Sequence, residues 1–64
     1  MINNRQNKIL EILEKNDQTS VIELTEKLNV SSVTIRQDLN FLATEGLLKR
    51  VHGGAVLKDA DDLT

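Results

Sequence analysis

Three residues, Asn29-Val30-Ser31, stand between two stretches of helical periodicity, and that short interval constrains the fold more than any other feature. Upstream, Ser20-Val21-Ile22-Glu23 has the form of a capping box, in which the Ser20 hydroxyl accepts from the Glu23 amide and the Glu23 carboxylate accepts from the Ser20 amide. The helix it starts carries Leu24 and Leu28 at a spacing that places both on one buried face. Asn29 tolerates the left-handed backbone that a sharp helix exit requires. Downstream, Ser31 caps a further helix that runs to about Glu45, with Gly46 just past its end. So short a connection makes the two helices meet at a steep angle, with Val30 buried in the corner.

The helix after Ser31 has two faces of different chemistry. With Ile35 as the origin of a helical wheel at about 100° per residue, Leu39 and Leu42 lie within roughly 40° of it and form a core stripe. Val33, Arg36, Gln37 and Asn40 gather on the far side, and Ser32 sits in the first turn. A cation, two amides and a small apolar group are the chemistries that read base edges in a DNA major groove. A solvated helix surface can carry the same residues, so this face alone leaves both readings open. Asp38 is expected beside the core stripe, paired with Arg5, and Phe41 at the core edge.

The flanking segments complete a plan. Ile9, Leu10 and Leu13 recur at helical spacing over Asn4 to Asn16, and Asn16-Asp17-Gln18 turns the chain. After Gly46 the period changes. Leu47-Leu48-Lys49-Arg50-Val51 and Ala55-Val56-Leu57 are short strand candidates around a His52-Gly53-Gly54 turn, where the glycines permit positive φ. Three helices followed by a two-stranded hairpin make a mainly α, winged helix-turn-helix domain over residues 1–58. Residues 59–64 are expected to be an acidic tail or the start of a linker.

Composition narrows the function. The 64 residues make one small domain. The absence of cysteine excludes disulfides and thiolate metal sites and allows a reducing cytoplasmic setting. The single histidine, His52, has no partner at ligand spacing, and no paired carboxylates or phosphate-cradling glycine loop supply a reaction. No enzyme, metal or cofactor is expected. No apolar run reaches membrane-spanning length, and Met-Ile-Asn-Asn-Arg does not open a signal peptide. The formal charge of −2 argues against indiscriminate nucleic-acid binding, yet four cations against two anions give residues 30–58 a net +2. Three aspartates give residues 59–64 a net −3.

Two motifs carry a resemblance that covers Arg5 to about Leu57. The first is Arg5-x3-Ile9-x3-Leu13 followed after 17 residues by Ser31-x2-Thr34-Ile35-Arg36-Gln37-Asp38-Leu39. The second is Gly46-Leu47-Leu48-Lys49-Arg50-Val51-His52-Gly53-Gly54-Ala55. Together they resemble the DNA-binding domain of the DeoR-type transcriptional regulators of bacteria. The resemblance implies operator binding in the cytoplasm, with repression of sugar metabolism as the expected outcome. It further implies a larger C-terminal domain that senses a phosphorylated sugar and supports homo-oligomerisation. One departure concerns recognition: the family usually has a second basic residue after the Arg36 equivalent, and here it is Gln37.

The expected roles follow. Ser32, Val33, Arg36, Gln37 and Asn40 are candidates for base reading, with Gln37 able to pair bidentately with adenine and Val33 to touch a thymine methyl. Ser20, Thr34, Lys49, Arg50, His52 and Gly53 are candidates for backbone and wing contacts. Ser20 and Ser31 are also caps, and alternation along a strand lets only one of Lys49 and Arg50 face DNA. The competing reading is a winged helix that assembles proteins without binding DNA, which the acidic balance favours. The absence of large apolar or aromatic anchors on the Arg36 face stands against it.

Overall fold

The computed structural model describes residues 2–57. Helices α1 (Asn4–Asn16), α2 (Val21–Leu28) and α3 (Ser32–Thr44) combine with strands β1 (Gln18–Ser20), β2 (Leu48–Val51) and β3 (Gly54–Leu57). The winged helix-turn-helix plan holds, with one addition. The sequence of Gln18–Ser20 predicts only a turn and a cap, but the segment pairs antiparallel with β3, giving a three-stranded sheet in the order β1-β3-β2. Its three polar residues carry no strand signal of their own, and the ladder with β3 supplies it. The acidic tail expected at residues 59–64 lies outside the described residues.

Local chemistry sets each helix end. Asn3 and Gln6 form a capping box on α1, and Ser20 and Glu23 form the one anticipated on α2. Asp17 and Asn29 end these helices with φ of 69° and 57°, and the Asn29 amide donates to the Thr25 carbonyl at 2.8 Å. Ser31 caps α3 by accepting from the Thr34 amide, and Gly46 follows its end at φ 80°. Two aliphatic expectations are corrected. Leu28 and Val30 are only partly buried, packed against the edge of the core, and Val21, whose amide donates to the Gly53 carbonyl of the wing turn, is buried in the core instead. Leu10 is likewise peripheral. The core comprises Ile9, Leu13, Val21, Leu24, Ile35, Leu39, Leu42, Leu48 and Ala55, so every element but β1 contributes an aliphatic group.

The wing is anchored from both sides. Its turn is His52-Gly53, with positive φ at Gly53 alone, and Gly54 already belongs to β3. The expectation that both glycines serve the turn is therefore corrected. Gly54 is needed for closeness: a Cβ there would stand 2.2 Å from the Thr19 carbonyl oxygen and 2.9 Å from Ser20 Cα. Beside it, the Val21 amide donates to the Gly53 carbonyl at 2.9 Å, tying the start of α2 to the wing turn. At the far end of β3 the Leu57 amide donates to the Asp17 carbonyl at 2.8 Å.

Asp38 is buried on α3 and paired with Arg5 of α1, as expected. Arg5 donates through Nε to Oδ2 and through Nη2 to Oδ1 at 3.1 Å, and Gln6 Nε2 donates to Oδ1 at 2.9 Å. Burial alone pushes the Asp38 carboxyl up, but the hydrogen bonds from Arg5 and Gln6 and the Arg5 charge outweigh it and hold the group below its ordinary value.

Two outcomes follow. Gly54→Ala should destabilise the domain by about 3 kcal/mol, because backbone cannot yield as a side chain does, and thermal melting with hydrogen exchange at β1 should show it. Asp38→Asn should cost about 2 kcal/mol at neutral pH, reduced from a fully buried pair because Arg5 is partly exposed. The Asp38 contribution is complete above the unfolded carboxyl value of about 3.9 and decays as pH falls through the lower folded value. Urea midpoints of the parent and Asp38→Asn should therefore differ at pH 7 and converge in acid below about pH 4.

Candidate nucleic-acid interface

Packing divides α3 as its sequence demands. Ile35, Asp38, Leu39 and Leu42 are buried, whereas Ser32, Val33, Arg36, Gln37 and Asn40 are all exposed on the opposite face. Val33 is 59% exposed, a branched apolar group held in water by a helix whose other side is committed to the core. The arrangement therefore assembles the five candidate base-reading residues on one convex surface.

The wing and the start of α2 border the N-terminal half of this surface. Between them lies an open cleft of about 450 Å³, lined by Ser32 and Arg36 from α3, Arg50, His52 and Gly53 from the wing, and Val21, Ile22 and Thr25 from α2. Five of the eleven candidate residues thus converge on one concavity. Gln37, Val33 and Asn40 lie on the exposed face of α3 without lining it, and Lys49 points away, exposed on the other side of β2 from α3. Strand alternation explains the split: Leu48 turns into the core, Lys49 out, and Arg50 back towards α3.

Several candidate groups are already hydrogen-bonded. Arg50 Nε donates to the Gly54 carbonyl at 3.1 Å, and its Nη1 donates to Asn40 Oδ1 at 2.5 Å. Ser20 Oγ accepts from the Glu23 amide at 3.0 Å, and Ser20 borders the opposite side of the wing turn rather than the cleft. Thr34 is half-buried, its Oγ1 accepting from Ser31 Oγ at 3.1 Å while its amide donates to Ser31 Oγ at 3.2 Å. It contributes to the cap at the start of α3.

Two residues of this surface escaped the sequence reading. Ile22 is 70% exposed at the mouth of the cleft, and Thr25 lines it while donating to the Ile22 carbonyl at 2.7 Å. The available signal was the position of Ile22 on the helical wheel, away from Leu24 and Leu28. Electrostatically, the one ion pair among the described residues is Arg5–Asp38, on the inner side of α3. Arg36 and Lys49 keep their charges uncompensated by any carboxylate among those residues. The described residues also hold no cluster of histidine and acidic side chains that suits a metal ion, and no helix is long and apolar enough to cross a membrane.

Comparison with known proteins accounts for this arrangement. The DeoR-like helix-turn-helix domain family matches residues 5–61. The chain is 48% identical over 58 residues to the HTH-type transcriptional regulator GolR of Listeria innocua, covering 91% of this chain and 23% of that protein. It is 47% identical over 62 residues to the L-fucose operon activator of Haemophilus influenzae, covering 97% and 25%. It is also 47% identical over 53 residues to the glycerol-3-phosphate regulon repressor of Escherichia coli, covering 83% and 21%. The chain thus spans about a quarter of the length of these relatives. No solved structure gives a significant match. With helix-turn-helix, wing and exposed Arg36 face in place, the chain belongs to the DeoR-like helix-turn-helix family of DNA-binding transcriptional regulators.

Proposed function

We propose that this domain reads a specific double-stranded DNA sequence as the operator-binding part of a repressor of sugar metabolism. One observation carries the reading: the exposed face of α3 presents Arg36 without a carboxylate partner, beside a wing that closes a cleft onto it. In this reading α3 enters the major groove, and Ser32, Val33, Arg36, Gln37 and Asn40 meet base edges. The start of α2, with Ser20, lies over one phosphate backbone. His52 and Gly53 bring the wing turn to the backbone or the adjacent groove, and Lys49 supplies a free cation on the wing's outer side. The names of the relatives support sugar operons as targets and include both an activator and repressors. A sugar-phosphate effector and the contacts that join copies are assigned to parts of the regulator outside these residues. The regulator works on DNA in the cytoplasm.

Charge arithmetic sets the expected strength. With a net charge of −2, the 64-residue chain should bind a single half-site weakly, with Kd of roughly 10⁻⁴ to 10⁻⁶ M. Joining two copies makes the second engagement intramolecular and supplies tight operator binding. Titration of the chain onto a half-site duplex, with its mass in solution measured in parallel, checks this. Nanomolar binding by a monomer would contradict it.

The two halves of the surface should respond differently to substitution. Arg36→Ala should cost about 1–3 kcal/mol on the preferred sequence and relax preference at one or two positions. His52→Ala, at the wing turn, should weaken all sequences alike without moving the consensus. Selection of sites from a random duplex pool, followed by titrations, tests the contrast. Equal and sequence-independent losses from both changes would mean that α3 only positions the protein on the backbone.

A further inference from the structure

Asn40 on α3 and Arg50 on β2 meet side chain to side chain, and the chemistry of that contact decides which end of the amide is left over. Arg50 Nη1 donates to Asn40 Oδ1 at 2.5 Å, while its Nε is anchored on the Gly54 carbonyl at 3.1 Å. A guanidinium carries donors only, so the amide atom that faces it is the oxygen. The Asn40 NH₂ group takes part in no hydrogen bond among the described residues and lies on the exposed face of α3.

This orientation has a consequence for readout. An asparagine that turns freely pairs with adenine by donating to N7 and accepting from N6. Asn40 has its acceptor engaged by a cation and offers donors. Donors match a base edge that presents acceptors: guanine offers two adjacent ones, N7 and O6, and thymine offers O4, whereas adenine sets its N7 acceptor beside an N6 donor that an outward NH₂ cannot satisfy. Arg50 is itself half-buried and held at two points, one on the wing and one on α3, so it is fixed well enough to hold its partner.

We infer that Arg50 is a positioning residue for base recognition, orienting the Asn40 amide donor-outward so that α3 selects guanine or thymine over adenine at the base Asn40 meets. The inference rests on the DNA-reading function proposed above. It assigns Arg50 a task that its charge alone does not perform and makes the wing a determinant of what the recognition helix reads.

Selection from a random duplex pool by the protein and by Asn40→Ala, Arg50→Ala, the double variant and Asn40→Asp tests it. The protein should select guanine or thymine at one position, and Asn40→Ala should lose preference there alone. Arg50→Ala should move that position towards adenine by about tenfold relative to the parent choice. In the Asn40→Ala background, Arg50→Ala should add only a sequence-independent loss. Asn40→Asp keeps the contact with Arg50 and the wing anchor but exchanges the donor end for an acceptor, so the same position should move towards cytosine, whose edge presents the N4 donor with no acceptor beside it. That variant decides the matter even if Arg50→Ala loosens the wing. Adenine at the Asn40-dependent position in the parent, or additive losses with unchanged consensus, would overturn the inference while an Arg36-dependent consensus preserves the DNA-reading function. Absence of any sequence preference in the parent would overturn both.

Discussion

The Asp38 carboxylate fixes how the recognition helix sits on the rest of the domain. It lies on the buried side of α3, one position before Leu39, and receives three hydrogen bonds from two consecutive residues of α1. Aliphatic packing between Ile9, Leu13, Ile35 and Leu39 brings α1 and α3 together but is compatible with small rotations about either axis. A carboxylate that must be met by the Arg5 fork and the Gln6 amide removes that freedom, because any rotation leaves a buried charge short of partners. Gln6 is also the N3 partner in the capping box of α1, so the start of that helix and the rotation of α3 are set by one connected group of polar side chains. With the acidic residue turned inward and its charge met, the outward face of the same helix carries Arg36 as its only charge.

A second set of contacts makes the wing part of the same rigid frame. The Val21 amide reaches the Gly53 carbonyl, β1 runs against β3 where Gly54 has no side chain, and Arg50 spans from Gly54 to Asn40. The start of α2, the wing turn and the exposed face of α3 are thereby held around one cleft, although they come from three separate stretches of sequence. Preorganisation of this kind lowers the ordering cost of binding. It suits a domain whose overall charge gives little general attraction to DNA, since the contacts it does make must arrive in register.

Charge placement follows the same logic. Three of the ten acidic residues fall in residues 59–64, Glu23 is engaged in its capping box, and Asp38 is buried and paired with Arg5, which leaves Arg36 the one charge on the exposed face of α3. The acidity that favours a protein-assembly module on composition alone therefore does not describe the local field at α3 and the wing. The relatives, all of them transcriptional regulators by name, give that alternative no support.

The helices, their caps and the outward face of α3 were legible in the sequence because each depends on residues within one or two turns of one another. Ser20 with Glu23, Asn29 at its left-handed exit, and the stripe of Ile35, Leu39 and Leu42 need no distant partner to be recognised, and the Arg5–Asp38 pair follows from one buried carboxylate needing a cation. What the sequence could not decide depends on pairing between distant segments. β1 exists because β3 lies beside it, Gly54 is required because Thr19 approaches it, and Ile22 is exposed because the wing leaves the mouth of the cleft open. The choice between Lys49 and Arg50 was likewise open, since alternation along a strand says that one of them faces α3 but not which. The sheet register decides it by turning Leu48 into the core, which brings Arg50 onto Asn40 and leaves Lys49 outside.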